Sequence, residues 1–199
     1  MTLDQSVLKD NFLDLHTGMT GIKSAGDYAE VMLAVYQDGY AVEAQLPPIE
    51  IGGEDFSDSI SLSSVGDGSF KSNYESIYGI ISGAFIDHIT TISSAYAQYW
   101  SESAWTGAGT IVGIVEIGSV QPNAALIAAA KAALIAVYIA EVLSFDPTAS
   151  MTAEEGAEKQ ATMFDTFTKA CGVIVSGTIH MSWTGTFPDV PFSMPFPLT

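Results

Sequence analysis

Residues 122–145, PNAALIAAAKAALIAVYIAEVLSF, constrain this chain more than any other stretch. They read as one helix, with Pro122 suited to the first helical position and Asp146-Pro147 closing the far end. Only Lys131 and Glu141 are charged, so the helix is apolar almost all round and must be covered on most sides, by protein or by lipid. Its alanines let neighbouring backbones approach closely. The expectation is a buried central helix. A membrane span has adequate length but would put Lys131 near mid-bilayer, where a cation is costly.

The rest of the composition agrees with a chain that hides apolar surface. Of its 199 residues 48% are hydrophobic and only 15% charged, which suits one domain, or one domain with an extended arm. The formal charge is −17, from 23 acids against 6 lysines, and arginine is absent. Phosphate backbones are bound by cations that displace counterions, and guanine edges by arginine, so nucleic-acid partners are not expected. An anionic membrane surface is disfavoured for the same reason. The single Cys171 rules out an intrachain disulfide framework and a cysteine-based zinc cluster. The opening MTLDQSVLKDNFLDL is mixed and amphipathic, without the basic-then-apolar order of a secretory signal. Synthesis and assembly in a cytoplasm are therefore expected.

Along the chain, Val7, Leu8, Phe12 and Leu15 predict a short amphipathic helix over 3–16. Ser24 offers an N-cap to a helix over 25–44, which Pro47-Pro48 stops. Residues 49–70 are rich in Gly, Ser and Asp and predict a solvated acidic loop, with a short strand near 60–62. Glu54, Asp55 and Asp58 raise the question of calcium, but the ligand order of an EF-hand is absent. Ser72-Asn73-Tyr74-Glu75 has the form of a capping box and predicts one long helix over 72–100. Its small residues allow close approach of the alanine-rich helix. Residues 105–120 suggest an irregular apolar connection, and Thr152-Ala153-Glu154-Glu155 is a second capping box opening a helix to Ala170. Gly172 stands where a helix end favours a left-handed residue.

From 173 to 184 the period changes to two: Val173, Val175, Gly177, Ile179, Met181 and Trp183 against Ile174, Ser176, Thr178, His180, Ser182 and Thr184. That alternation predicts a half-buried strand. It requires a partner, for which the candidates are the Ile60 region, the Ile111–Ile117 run or a neighbouring subunit. The terminal FPDVPFSMPFPLT predicts a stiff extended arm over 187–199.

No residue set announces a reaction. His16, His88 and His180 are the only imidazoles; His88 reads as a satisfied core histidine and His180 as exposed. Asp14 and His16 are two apart on a helix and cannot face one another. A Cys171/His180 dyad can be drawn, but a helix C-terminus discourages a thiolate. Nucleotide, hydrolase and zinc-protease motifs are missing. A carboxylate pair distant in sequence is the remaining catalytic alternative, recognisable by acids converging in a pocket with shifted pKa values.

The tyrosine-patterned AGDYAEVMLAVYQDGY, the alanine-rich PNAALIAAAKAAL and the ending TMFDTFTKACGVIVSGTIHMSW with its proline-rich terminus together resemble small virion structural proteins of tailed bacteriophages, of the kind found in tail, neck or baseplate. The resemblance implies a non-enzymatic subunit without catalytic, cofactor or metal residues, assembled in the host cytoplasm into a virion with copies of itself and other virion proteins. It also implies neighbour contacts through the C-terminal strand and arm, with Trp183, Phe187, Phe192 and Phe196 as candidate contact residues. The expected fold is mainly α, a helical bundle around the alanine-rich helix over 1–186, with a small β element and the 187–199 arm. A membrane-active helical pore former of holin type is the rival reading, from two glycine- and alanine-rich helices of near-bilayer length.

Overall fold

The computed structural model describes residues 3–18, 25–79, 85–144, 150–181 and 188–199. Asp4 opens α1 (Gln5–Gly18) by accepting the backbone N–H of Ser6 at 2.9 Å. α2 (Ala25–Gln37) follows and passes through a 3-10 turn (Ala41–Glu43). The acidic stretch then makes a small hairpin, β1 (Glu50–Ile51) on β2 (Glu54–Asp55), and β3 (Leu62–Ser64). α3 (Asp67–Gly79) and α4 (Phe85–Ser101) lead to β4 (Ala104–Trp105), which pairs with β3, and then to β5 (Ile111–Val112) and β6 (Val115–Pro122). α5 (Ala124–Leu143), α6 (Ala153–Ala170), β7 (Gly172–Ile179) and β8 (Val190–Pro197) complete the chain.

The helices close a ring. Each packs on the next, from α1 through α6, and α6 returns to α1. That last contact is polar at its rim: Lys9 lies 3.3 and 3.0 Å from Glu154 and Glu158, and Gln5 donates to Thr162 at 2.8 Å. Inside the ring the filling is aromatic. The Phe164 ring sits 4.3 Å from that of Tyr96, 5.7 Å from Phe12, 6.1 Å from Tyr138 and 6.2 Å from Tyr36, so four other helices meet on this one side chain of α6.

A buried hydrogen-bond relay runs beside it. Trp100 Nε1 donates to the Tyr36 hydroxyl at 2.8 Å, which lies 2.5 Å from Thr168 Oγ1, and Thr168 donates to the Phe164 carbonyl at 2.7 Å. Since the Thr168 proton is committed to Phe164, Tyr36 donates to Thr168 and every proton in the relay is used. The Tyr96 hydroxyl, by contrast, is fully buried and has no hydrogen-bond partner among the described residues. The two tyrosines therefore respond oppositely to loss of the hydroxyl. Tyr36→Phe, which orphans the Trp100 N–H, should cost about 1–3 kcal/mol, while Tyr96→Phe should be neutral or stabilising, both read from urea unfolding.

The mainly-α bundle expected from the sequence is corrected by the sheets. The described residues are 54% helical and 21% strand and include three antiparallel sheets, so this is a mixed α/β fold. The largest sheet has the order β5-β6-β7-β8. β7 is the alternating segment of the sequence, and both its partners lie within the chain. On one side is β6, part of the Ile111–Ile117 run and its continuation. On the other is β8, which turns the described part of the proline-rich arm into an edge strand. Val115, Ile117, Val120, Val173 and Val175 bury one face of this sheet in the same core that holds the aromatic residues.

β8 tolerates its prolines because of their parity. Leu198 donates its N–H to the Cys171 carbonyl at 3.0 Å, so even-numbered residues of β8 face β7 and odd-numbered ones face outward. Pro191, Pro195 and Pro197 are all odd, and the N–H each lacks would have pointed away from the ladder. The chain end is tied in as well: Leu198 is 2% exposed, and Thr199 and Gln45 exchange both backbone hydrogen bonds. Removing residues 188–199 uncovers the whole length of β7. The expected outcome is a melting temperature lowered by at least about 5 °C, with aggregation on heating, measured by calorimetry and light scattering.

Other local expectations change too. The Ser72 box lies inside α3, where Ser72 Oγ donates to the Ser69 carbonyl at 3.1 Å, and the helix begins at Asp67. Where one helix was expected over 72–100, α3 and α4 are separate elements. Pro122 ends β6, and Asn123 is the N-cap of α5, accepting from the N–H groups of Ala125 and Leu126 at 3.1 and 3.2 Å. Gly172 is extended, not left-handed; a Cβ there would stand 2.3 Å from the Phe196 carbonyl oxygen, so glycine permits the close β7–β8 approach. The Thr152–Glu155 box forms in full at the start of α6. Asp146 and Pro147 lie outside the described residues.

Candidate assembly interface

The alanine-rich helix is not central. α5 fully buries a narrow stripe, Ile127, Ala130 and Leu134, continued by the partly buried Tyr138, against α4 and α6. Alanine explains this: an Ala-rich helix is apolar in every direction, yet offers so little volume per residue that the bulky aromatic residues of α2, α4 and α6 fill the ring interior instead. The opposite side of α5 faces solvent. Ala125, Ala129, Ala132, Ala136, Ala140 and Leu143, all exposed, recur at steps of four or three residues along one line. Leu143 is 81% exposed, Val137 and Val142 each 42%. Over its best window the helix has a mean hydropathy of 2.1, with only 17% of that window buried, and by length and composition it could cross a membrane.

Charge is kept off this surface. Lys131 is half-buried on its flank, while Glu141 is half-buried on the opposite side, in line with Leu134, where Lys159 of α6 holds it at 2.7 Å. Beside the exposed line, α5 and α6 leave an apolar groove of about 210 Å³ lined by Ala133, Leu134, Val137, Met163 and Phe167 among others. A chain of net charge −17 thus presents one long face without a charged group. The sequence marked this helix as apolar, but its exposure could be read only from how the ring is filled.

Of the candidate contacts named from sequence, Phe192 and Phe196 are half-buried on β8, opposite Gly177 and Val173. A Cβ on Gly177 would stand 2.8 Å from the Phe192 ring, so this phenylalanine covers the glycine. Trp183 and Phe187 lie outside the described residues. The outward edge of β8 offers one backbone donor between Val190 and Pro197, that of Ser193.

The residues considered for chemistry are dispersed. Cys171 immediately precedes β7 and His180 immediately follows it, about 30 Å apart at the rise of a strand. Burial pushes the Cys171 thiol far above its ordinary pKa. Asp4, Asp55, Glu102 and Glu155 have lowered pKa values. In each the main cause is a hydrogen bond from a nearby Ser or Thr, namely Ser6, Ser57, Ser69 and Thr152, as in turns and helix caps. Among the described residues no group of three or more His, Cys, Asp or Glu side chains is placed to share a metal ion. The side chain of His88 lies outside the described ones. Comparison with known proteins finds no matching family model, curated protein or solved structure.

Proposed function

We propose that this chain is a non-enzymatic structural subunit of a tailed-phage virion, a tail, neck or baseplate component that works by packing against copies of itself and other virion proteins. The observation that carries the reading is the uncharged, solvent-facing side of α5, in a chain that otherwise repels its own kind. Contiguous exposed apolar surface of this extent marks an interaction site. The mixed fold supplies a rigid body behind it, with the helical ring and the sheet sharing one core. Assembly would take place in the host cytoplasm, with no nucleic-acid partner.

The same helix motivates a second reading, insertion into lipid, because its length and hydropathy suffice. Its chemistry favours protein. Helices that lie in membrane interfaces carry lysines and arginines on the polar face and Trp, Phe or Leu on the other. α5 presents mostly alanine, which gains little from lipid but lets another backbone come close, and has one lysine. Sedimentation equilibrium alongside co-sedimentation with zwitterionic and anionic liposomes separates the two. The structural reading expects concentration-dependent association in solution and no vesicle binding; a monomer that pellets with vesicles would refute it.

A further inference from the structure

His180 follows β7 directly, and its ring stands between two carboxylates. Nε2 is 3.2 Å from Glu116 Oε2 on β6, and Nδ1 is 3.1 Å from Oδ2 of Asp189, which immediately precedes β8. One imidazole thus bridges both strands that flank β7, while its own backbone N–H is fixed by the Ile114 carbonyl at 2.7 Å. A neutral imidazole has a single N–H. It can donate to one carboxylate but must turn a lone pair towards the other, so this geometry is satisfied only by the imidazolium. Among the described residues, Glu116 from β6 and Asp189 just before β8 are the charged groups facing the ring, and the β5–β6 turn contributes the Ile114 carbonyl.

We propose that His180 is a proton-operated clasp that holds the entry of β8 against the sheet, closed while the ring is charged and loosened when the proton leaves. The far end of β8 has fastenings of its own, the Leu198–Cys171 bond and the Thr199–Gln45 pair, so loosening is confined to the Val190–Phe192 end. Hydrogen bonds to Glu116 and then Asp189 raise the pKa of His180 above its ordinary 6.5. A raised folded-state pKa means that the stabilisation is complete below the unfolded value and is lost as pH rises through the folded one.

The test is NMR on the whole chain between about pH 5.5 and about pH 8.5, following the His180 ring and the exchange of the Phe192 and Phe196 amides. Both amides face β7, so their exchange ratio cancels the general effect of base. That ratio should rise about three- to tenfold with pH, the size expected for exposed charge pairs. Its midpoint should track the titration of His180. In Glu116→Gln the ring should titrate lower and the midpoint should move with it, while in His180→Gln the ratio should be high throughout. A ratio independent of pH in the parent chain would overturn the clasp, as would a midpoint that stays put in Glu116→Gln. The Glu116→Gln result stands even if His180→Gln fails to fold.

Discussion

A chain carrying Ala132→Glu and Ala136→Glu together is expected to fold as the parent does and to stop associating. Both side chains are exposed on α5, and Glu is nearly as good a helix former as Ala, so the urea midpoint should hardly move. At an apolar contact, each new carboxylate would have to be buried without a partner, at a cost of kcal/mol size. Self-association should weaken at least about 100-fold, and incorporation into particles should fail in a complementation assay. Ser72→Glu with Ser101→Glu adds the same charge at exposed sites on α3 and α4 and controls for simple repulsion. Association that survives the α5 pair, or falls equally in the control, would remove α5 from the interface.

The second large effect is on stability. Phe164→Ala should destabilise the chain by about 3–5 kcal/mol, seen as a lower urea midpoint at unchanged slope. Domains of this kind have only about 5–15 kcal/mol in total, so the variant should be close to unfolding at physiological temperature. The reason is position: Phe164 touches rings from α1, α2, α4 and α5, and truncating it leaves a cavity that no single helix can move to fill. Phe164→Leu should recover more than half of the loss. A cost below about 1 kcal/mol for the alanine variant would mean that the ring is not filled as described.

The sequence was most legible where one local signal had one reading. The Thr152–Glu155 box opens a helix because Thr152 itself is extended and stands outside it; the same pattern at Ser72 fails because Asp67 has already started α3 five residues earlier. β7 declared itself through strict alternation. Its partner β6 did not, because the register shifts at Gly118 between Ile117 and Ser119. The core-facing residues are therefore Val115, Ile117 and Val120, a spacing with no single period. β8 was hidden by its prolines, which suggest a free extended arm until their common parity is seen against β7. The α5 surface was half legible. Its apolar character is local and plain, but which side of it meets solvent is decided by the aromatic residues of other helices, and no window of sequence contains that competition.

The three outward prolines of β8 also bear on how copies of this chain can meet when crowded. Runaway fibre growth proceeds by adding one backbone after another to an open ladder, and here the exposed rung lacks most of the donors that step requires. On this side of the sheet, crowding can then bring copies together through side chains, whose shapes are selective, and hardly through added strands.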